Sequence, residues 1–330
     1  MQTRKLGTTG PQVSAMGLGA MGMSDFYGEA DRAESLATIA AAVEAGITLI
    51  DTGDFYGMGH NEMLIGEALK TLPRDRLVLS VKFGAQRGPD SAFLGFDGRP
   101  SAVKTAVAYS LKRLGVDHID VYRPARLDPS VPIEETVGAI ADLVQAGYVR
   151  HIGLSEVGAA TIRRAAAVHP ICDLQIEYSL LSRGIEDAIL PACRELGIAI
   201  TAYGVLSRGL IGGHAVSLDK AGDFRGHTPR FQGENLRRNL VLAEALRAAA
   251  EGLGLTPAQA AIAWVAAQGE DIIPLVGARR RDRLAEALGA MSANLTPEAL
   301  AALDRAVPRG AAAGERYPLA QMAMLDSERA

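Results

Sequence analysis

The sequence predicts an α/β fold: a closed (β/α)8 barrel of the TIM type, formed as one domain over residues 1–330. Three observations predict it. Short β-type runs alternate with longer amphipathic segments along nearly the whole chain, which argues for a parallel sheet covered by helices. The runs number eight, the count that closes a barrel. The alternative, an open doubly wound sheet, needs a glycine-rich turn that opens a helix; "GLGAMG" (17–22) has the spacing but leads into "MSDFYGEADRAES", which has loop chemistry.

In chain order, the predicted strands are "AMGLGA" (15–20), "ITLID" (47–51), "LVLSVK" (77–82), "IDVYR" (119–123), "HIGLS" (151–155), "CDLQIEY" (172–178), "IAITAY" (198–203) and "IIPLVG" (272–277). Between them lie helical patterns such as 33–46, 101–115 and 132–147, the last two ending in glycine, a favoured helix stop. "TTGPQVS" (8–14) reads as a turn or hairpin closing the barrel floor. The stretch 204–234 is long, glycine-rich and charged, and follows the seventh strand, where barrels often bind phosphate.

Composition narrows the function classes. The chain is 48% hydrophobic and 22% charged with net charge −4, too balanced for a nucleic-acid or anionic-membrane partner. No apolar run approaches the roughly 20 residues of a membrane helix, and "MQTRKLGTTGPQV" has no apolar signal region. Cys172 and Cys193 lack metal spacing and read as reduced packing residues of a cytoplasmic protein, with no metal site.

In a parallel barrel, chemistry collects at the C-terminal strand ends. A lysine closing the apolar run "LVLSVK" needs a partner, because an isolated buried ammonium is costly, and Asp51 on the neighbouring strand is the natural one. A plain structural ion pair would satisfy the same two residues. Tyr56, five residues on, favours chemistry: a nearby cation lowers a phenol pKa, so Asp51, Lys82 and Tyr56 would form a tuned proton donor for carbonyl reduction. The hydride must come from a cofactor. Ser155 and Gln175 suit a nicotinamide carboxamide, and Tyr203 offers a flat face for the ring. "GVLSRGLIGG", with Gly204, Val205, Leu206, Ser207, Arg208 and Gly209, offers backbone to a pyrophosphate. Arg279, Arg280, Arg281 and Arg283 open a predicted helix where a 2′-phosphate would be favoured, although a solvated helix face explains such a run equally.

These residues resemble the aldo-keto reductases over nearly the full chain. The segments "LIDTGDFYGMGHNE", "SLKRLGVDHIDVY", "HIGLSEVGAATIRRA", "LQIEYSLLSR" and "AYGVLSRGLIGG" follow that family's signatures in order. The resemblance implies a (β/α)8 barrel, NADPH bound in extended form (with NAD possible) and reduction of a small aldehyde or ketone. It places the catalytic Asp, Tyr and Lys on Asp51, Tyr56 and Lys82. It extends the cofactor positions to Gly19, Ala20, Met21, Glu156, Gly277, Glu286 and Ala287. The fourth catalytic position, usually histidine, falls on Ala125, followed by Arg126.

Strand alternation puts Arg123 on the same face as position 125. Arg123 is therefore expected to point inward, pair with Glu177 or Glu156, and reach the emptied position; the plainer reading locks it in a core ion pair. His60 is a second candidate donor, or else a residue of the pocket rim. Phe55, Phe26 and Tyr27 are expected to wall the pocket. A competing function, favoured by Ala125, is an NADPH-binding regulatory or redox-sensing protein with little turnover.

Overall fold

The computed structural model describes residues 1–24, 26–214 and 223–329. Eight parallel strands close into one barrel in sequential order. They are β1 (Gly17–Gly19), β2 (Leu49–Gly53), β3 (Val78–Phe83), β4 (Ile119–Pro124), β5 (Val149–Ser155), β6 (Ile171–Glu177), β7 (Ala199–Tyr203) and β8 (Ile272–Gly277). Closure is made by β8 on β1, with Leu275 opposite Gly17 and Gly277 opposite Gly19. All eight predicted strands are present, with ends shifted by at most two residues; β1 is shortened at both ends relative to its apolar run.

Covering helices form where the 3.6-residue patterns placed them, at α1 (Arg32–Glu44), α3 (Pro100–Leu114) and α4 (Ile133–Gln145), and α2 (His60–Ala68) adds one between β2 and β3 that the sequence patterns did not mark. Asp31 starts α1 by accepting the Glu34 amide. Gly115 stops α3 at φ +68°, a conformation its lack of Cβ makes cheap.

Period-2 alternation divides the barrel interior into layers. Its floor is apolar: Leu49, Val78, Val121, Cys172, Ala199 and Ile273 pack under Leu6 and Val13. Those last two belong to an N-terminal hairpin, Thr3–Lys5 paired with Gln12–Ser14, longer than the predicted turn at 8–14. Two residues further along β2, β3, β4 and β7 the same face turns polar, with Asp51, Ser80, Arg123 and Thr201 all buried. A register irregularity between Ile171 and Asp173 re-phases β6, so Asp173 joins this layer above Cys172.

Two loops carry structure of their own over the barrel mouth. After β3, Ala85–Arg87 pairs with Phe93–Phe96. After β7, the described part of 204–234 holds 3₁₀ turns at Ser207–Gly209, Phe224–His227 and Pro229–Phe231, and Asp223 bridges to Tyr27; residues 215–222 of that predicted loop lie outside the described residues. Among the described residues, no helix is long and apolar enough to cross a membrane.

Candidate active site

β2 and β3 run side by side with Asp51 opposite Ser80 and Gly53 opposite Lys82, so the barrel brings the predicted acid and amine together. Lys82 donates to Asp51 Oδ1 and to Gln175 Oε1 at 2.8 Å. Gln175 Nε2 and Ser80 Oγ each donate to Asp51 Oδ2 at 2.7 Å. Gln175, expected to hold a carboxamide, thus has both ends of its amide engaged by the ion pair. Burial pulls the Lys82 amine down, Asp51 pulls it back up, Arg123 lowers it again, and the balance falls at about 8.

Tyr56 is buried beside this cluster, packed edge-on against Phe55 and Phe26. Lys82 Nζ lies over its ring, 5.2 Å from the centroid, and no described side chain hydrogen-bonds its hydroxyl. The sequence reading expected a lowered phenol pKa. The structure reverses that direction: burial, then the charge of Asp51, push the Tyr56 phenol well above its ordinary value. The ammonium is already spent on Asp51 and Gln175, so it does not offset the desolvation.

Arg123 is fully buried and faces inward as predicted, but its partner is neither Glu177 nor Glu156. It donates to Asp173 Oδ2 at 2.9 Å and to Ser80 Oγ at 2.9 Å, and Thr201 donates to the same Asp173 oxygen at 2.5 Å. Ser80 therefore joins this pair to Asp51 above it. A Cβ on Gly153 would lie 2.6 Å from Asp173 Oδ1 and 3.1 Å from Arg123 Cζ, so only glycine leaves room for the pair. Ala125 is buried at the end of β4, its amide donating to Phe83 O. Arg126 is half-buried and donates to Ala125 O at 2.6 Å, with longer contacts of 3.4 Å to Ser155 Oγ and Tyr317 Oη.

The predicted carboxylates Glu156 and Glu177 serve another purpose. Glu156, buried at φ +53°, accepts from Tyr203 Oη at 2.6 Å, Ser327 Oγ at 2.7 Å and Arg316 at 2.5 and 2.9 Å. Burial would raise its carboxyl, but Arg316 outweighs this and holds it well below the usual range. Glu177 takes Arg208 at 3.2 Å and Arg316 at 3.3 Å. Tyr317 bonds Tyr203 Oη at 2.9 Å and lies under the Arg208 guanidinium, 4.3 Å from its ring centroid. Residues 316 and 317 thus form part of the same barrel mouth, although the sequence reading singled out neither residue. No local signal marks them, since Arg316 lies 160 residues from Glu156.

The remaining expected positions fall around the rim. Gly19 and Gly277 are opposite each other at the β1–β8 junction, Ala20 donates to Asp51 O, and Met21 opens a 3₁₀ turn. Ser207, Arg208 and Gly209 all have left-handed backbones, φ +48°, +59° and +92°, beside Gly204 at +69°. In the arginine run, Arg280 pairs with Asp282, Arg281 with Glu34, and Arg283 with Glu286, which also holds His214. Arg279 alone of the four makes no ion pair with a described carboxylate; it donates to the carbonyls of Tyr27, Gly28 and Glu29. Ala287 is buried in the helix Arg281–Gly289. Tyr27 lies under the Arg225 guanidinium, 5.3 Å from its ring centroid. His60 is exposed, its Nδ1 on Ser24 Oγ at 2.8 Å, which places it at the rim.

Just past the end of β2, Asp54 accepts the Gly84 amide at 3.4 Å and leaves Oδ1 without a partner among the described residues. Burial, then Glu62, lift its carboxyl to about 7. Between pH 4 and 7 the folded chain therefore holds a proton that the unfolded chain has lost, so this group's contribution falls as pH rises through that window. Its ionisation in the fold costs on the order of 4 kcal/mol before solvent relief. Asp54→Asn is expected to raise the melting temperature by several degrees at pH 8 and to change it little at pH 4; calorimetric scans at the two pH values check this.

The geometry sets a buried Lys–Asp pair and a neutral phenol side by side at the C-terminal strand ends of a parallel barrel, groups able to hold and move a proton. The sequence model of the aldo/keto reductase family matches residues 15–308. A probable aldo-keto reductase 1 of Glycine max is 44% identical over 322 residues, covering 96% of this chain and 92% of its own length. The structure is similar to a glycerol dehydrogenase from Gluconobacter oxydans, with TM-score 0.84, 29% identity and coverage of 96% and 97% of the two chains. It is also similar to the holo form of an aldo-keto reductase from Bacillus halodurans, with TM-score 0.78, 26% identity and coverage of 93% and 96%. The chain belongs to the aldo/keto reductase family.

Proposed function

We propose that the protein reduces aldehydes or ketones to alcohols with NADPH, using Tyr56 as proton donor. The observation that carries this reading is the Tyr56 phenol, kept protonated by burial and set beside the Lys82–Asp51 pair with its hydroxyl uncommitted. Several features fit a phosphorylated dinucleotide. Gly277 is exposed, with only Gly19 O near the position of an added Cβ. The left-handed turn 207–209 offers backbone, and among the described residues Arg279 has no carboxylate to displace. When bound, the cofactor supplies the hydride.

Tyr56 then gives its proton to the carbonyl oxygen, and Lys82, held by Asp51 and Gln175, balances the phenolate left behind. Arg279, with Gly277 and the 207–209 turn, would hold the phosphates; Ser155, Tyr203 and the Gly19–Met21 segment border the ring site. We place the reaction in the cytoplasm, a reading that free, buried Cys172 and Cys193 support. Absorbance loss at 340 nm with a panel of aldehydes and ketones tests the function; NADPH binding with no turnover across the panel overturns it. That outcome would favour the regulatory reading, which Ala125 at the usual histidine position supports.

Cofactor choice has its own test. Arg279→Ala is expected to weaken NADPH binding by about 10-fold or more, the loss of a charge-assisted contact, and to leave NADH binding nearly unchanged. Fluorescence titration of both cofactors measures it.

A further inference from the structure

The barrel mouth and interior are crowded with arginines, and nearly all are neutralised. Arg123 pairs with Asp173, Arg208 and Arg230 with Glu177, Arg225 with Asp223, and Arg316 with Glu156. Arg126 is different. Among the described residues no carboxylate lies within ion-pair distance of it, and its firm contact is the neighbouring carbonyl of Ala125 at 2.6 Å. Its other two contacts, to the hydroxyls of Ser155 and Tyr317, are long at 3.4 Å. A guanidinium has five N–H donors in a fixed fork, so Arg126 keeps donor capacity for a planar anion. It is half-buried, neither sealed in the core as Arg123 is nor free in solvent. Glu156, already bound by Arg316, is felt by Arg126 only at a distance, so a cation held there with no carboxylate in direct contact carries a desolvation cost that a bound anion would relieve.

Its location ties this to the reaction. Arg126 follows β4, whose Arg123 lies opposite Lys82 on β3. Its charge reaches both Tyr56 and Lys82, depressing the pKa of each. The residue before it, Ala125, is buried just past the end of β4 and carries only a methyl group.

We propose that Arg126 is the substrate-anchoring residue and that the preferred substrates are oxo acids: aldehydes or ketones with a carboxylate a few atoms from the reacting carbonyl. The carboxylate sits on the Arg126 fork between the Ser155 and Tyr317 hydroxyls, and the carbonyl oxygen turns toward Tyr56. This rests on the reductase reading for the chemistry, but the anion site itself does not depend on it.

The experiment has a binding arm and a kinetic arm. In the first, benzoate, its neutral isostere benzamide and inorganic phosphate are titrated calorimetrically into the protein with NADP⁺ present. Benzoate is expected to bind more tightly than benzamide, and Arg126→Gln to weaken benzoate by about 30-fold or more with little effect on benzamide. Equal binding of benzoate and benzamide, or benzoate binding indifferent to Arg126, overturns the proposal. Phosphate matching benzoate overturns the choice of carboxylate. In the second arm, glyoxylate is compared with glycolaldehyde, and succinate semialdehyde with butanal. The wild type is expected to favour the carboxylate member of each pair, and Arg126→Gln to reduce that preference about 30-fold, chiefly through KM, with partial return in Arg126→Lys. An equal fall for both members of a pair overturns an anchoring role. If no carbonyl is reduced while benzoate still depends on Arg126, the reductase reading fails and the anion site stands.

Discussion

Tyr56→Phe is expected to lower kcat for carbonyl reduction by about 10³-fold, with the NADPH dissociation constant nearly unchanged. The ring's packing against Phe55 and Phe26, and Lys82 over its face, need no hydroxyl. The hydroxyl bonds no described side chain, so its removal leaves no orphaned partner and the fold should be preserved. What is lost is the proton. Because burial and Asp51 hold the phenol protonated at ordinary pH, the wild-type rate should not need Tyr56 to titrate. Lys82 is the group that titrates within reach: above about 8 it sheds the charge that would balance a phenolate, and reduction is expected to decline there. Steady-state kinetics from pH 6 to 10, with melting curves of the variant, check both statements. Undiminished turnover in a folded Tyr56→Phe protein would remove Tyr56 from the reaction.

The second large effect is on stability. Asp173→Leu alone strands the Arg123 guanidinium in the barrel interior and is expected to cost about 3–5 kcal/mol, lowering the melting temperature by roughly 5–15 °C. Arg123→Met alone should cost a similar amount by stranding Asp173, which would keep only Thr201 and the Cys172 thiol. The double variant Arg123→Met, Asp173→Leu removes both charges at once and is expected to recover most of the loss, because apolar replacement of a buried pair is often neutral. Denaturation of the four proteins forms a double-mutant cycle. Costs that simply add would show that the two side chains do not depend on each other.

The strands were legible because their period-2 runs are long and bounded by turn residues, and the Asp51–Lys82 pair because both stand at the ends of neighbouring strands. Arg123 was found as an inward-facing residue but given the wrong partner. Depth along the barrel axis decides who meets whom, and that depth depends on the irregularity before Asp173, which leaves no mark in the sequence pattern. Asp173, Gln175 and Glu177 do alternate on one face, so the period-2 rule applied to β6 would have raised Asp173 as a partner. The direction of the Tyr56 shift was misread for a different reason: one nearby cation was counted, and neither the burial nor Asp51 was. Arg316 and Tyr317 had no local signal at all, since their role exists only through contacts across the ring.

The ring closure and the placement of Arg316 and Tyr317 have a consequence for biosynthesis. β1 waits for its outer neighbour until residue 277 has been made, and the mouth is complete only once residues 316 and 317 have emerged. A chain still growing on the ribosome thus exposes an unpaired strand edge and Glu156 without Arg316, and the mouth forms only after residues 316 and 317 are made rather than gradually.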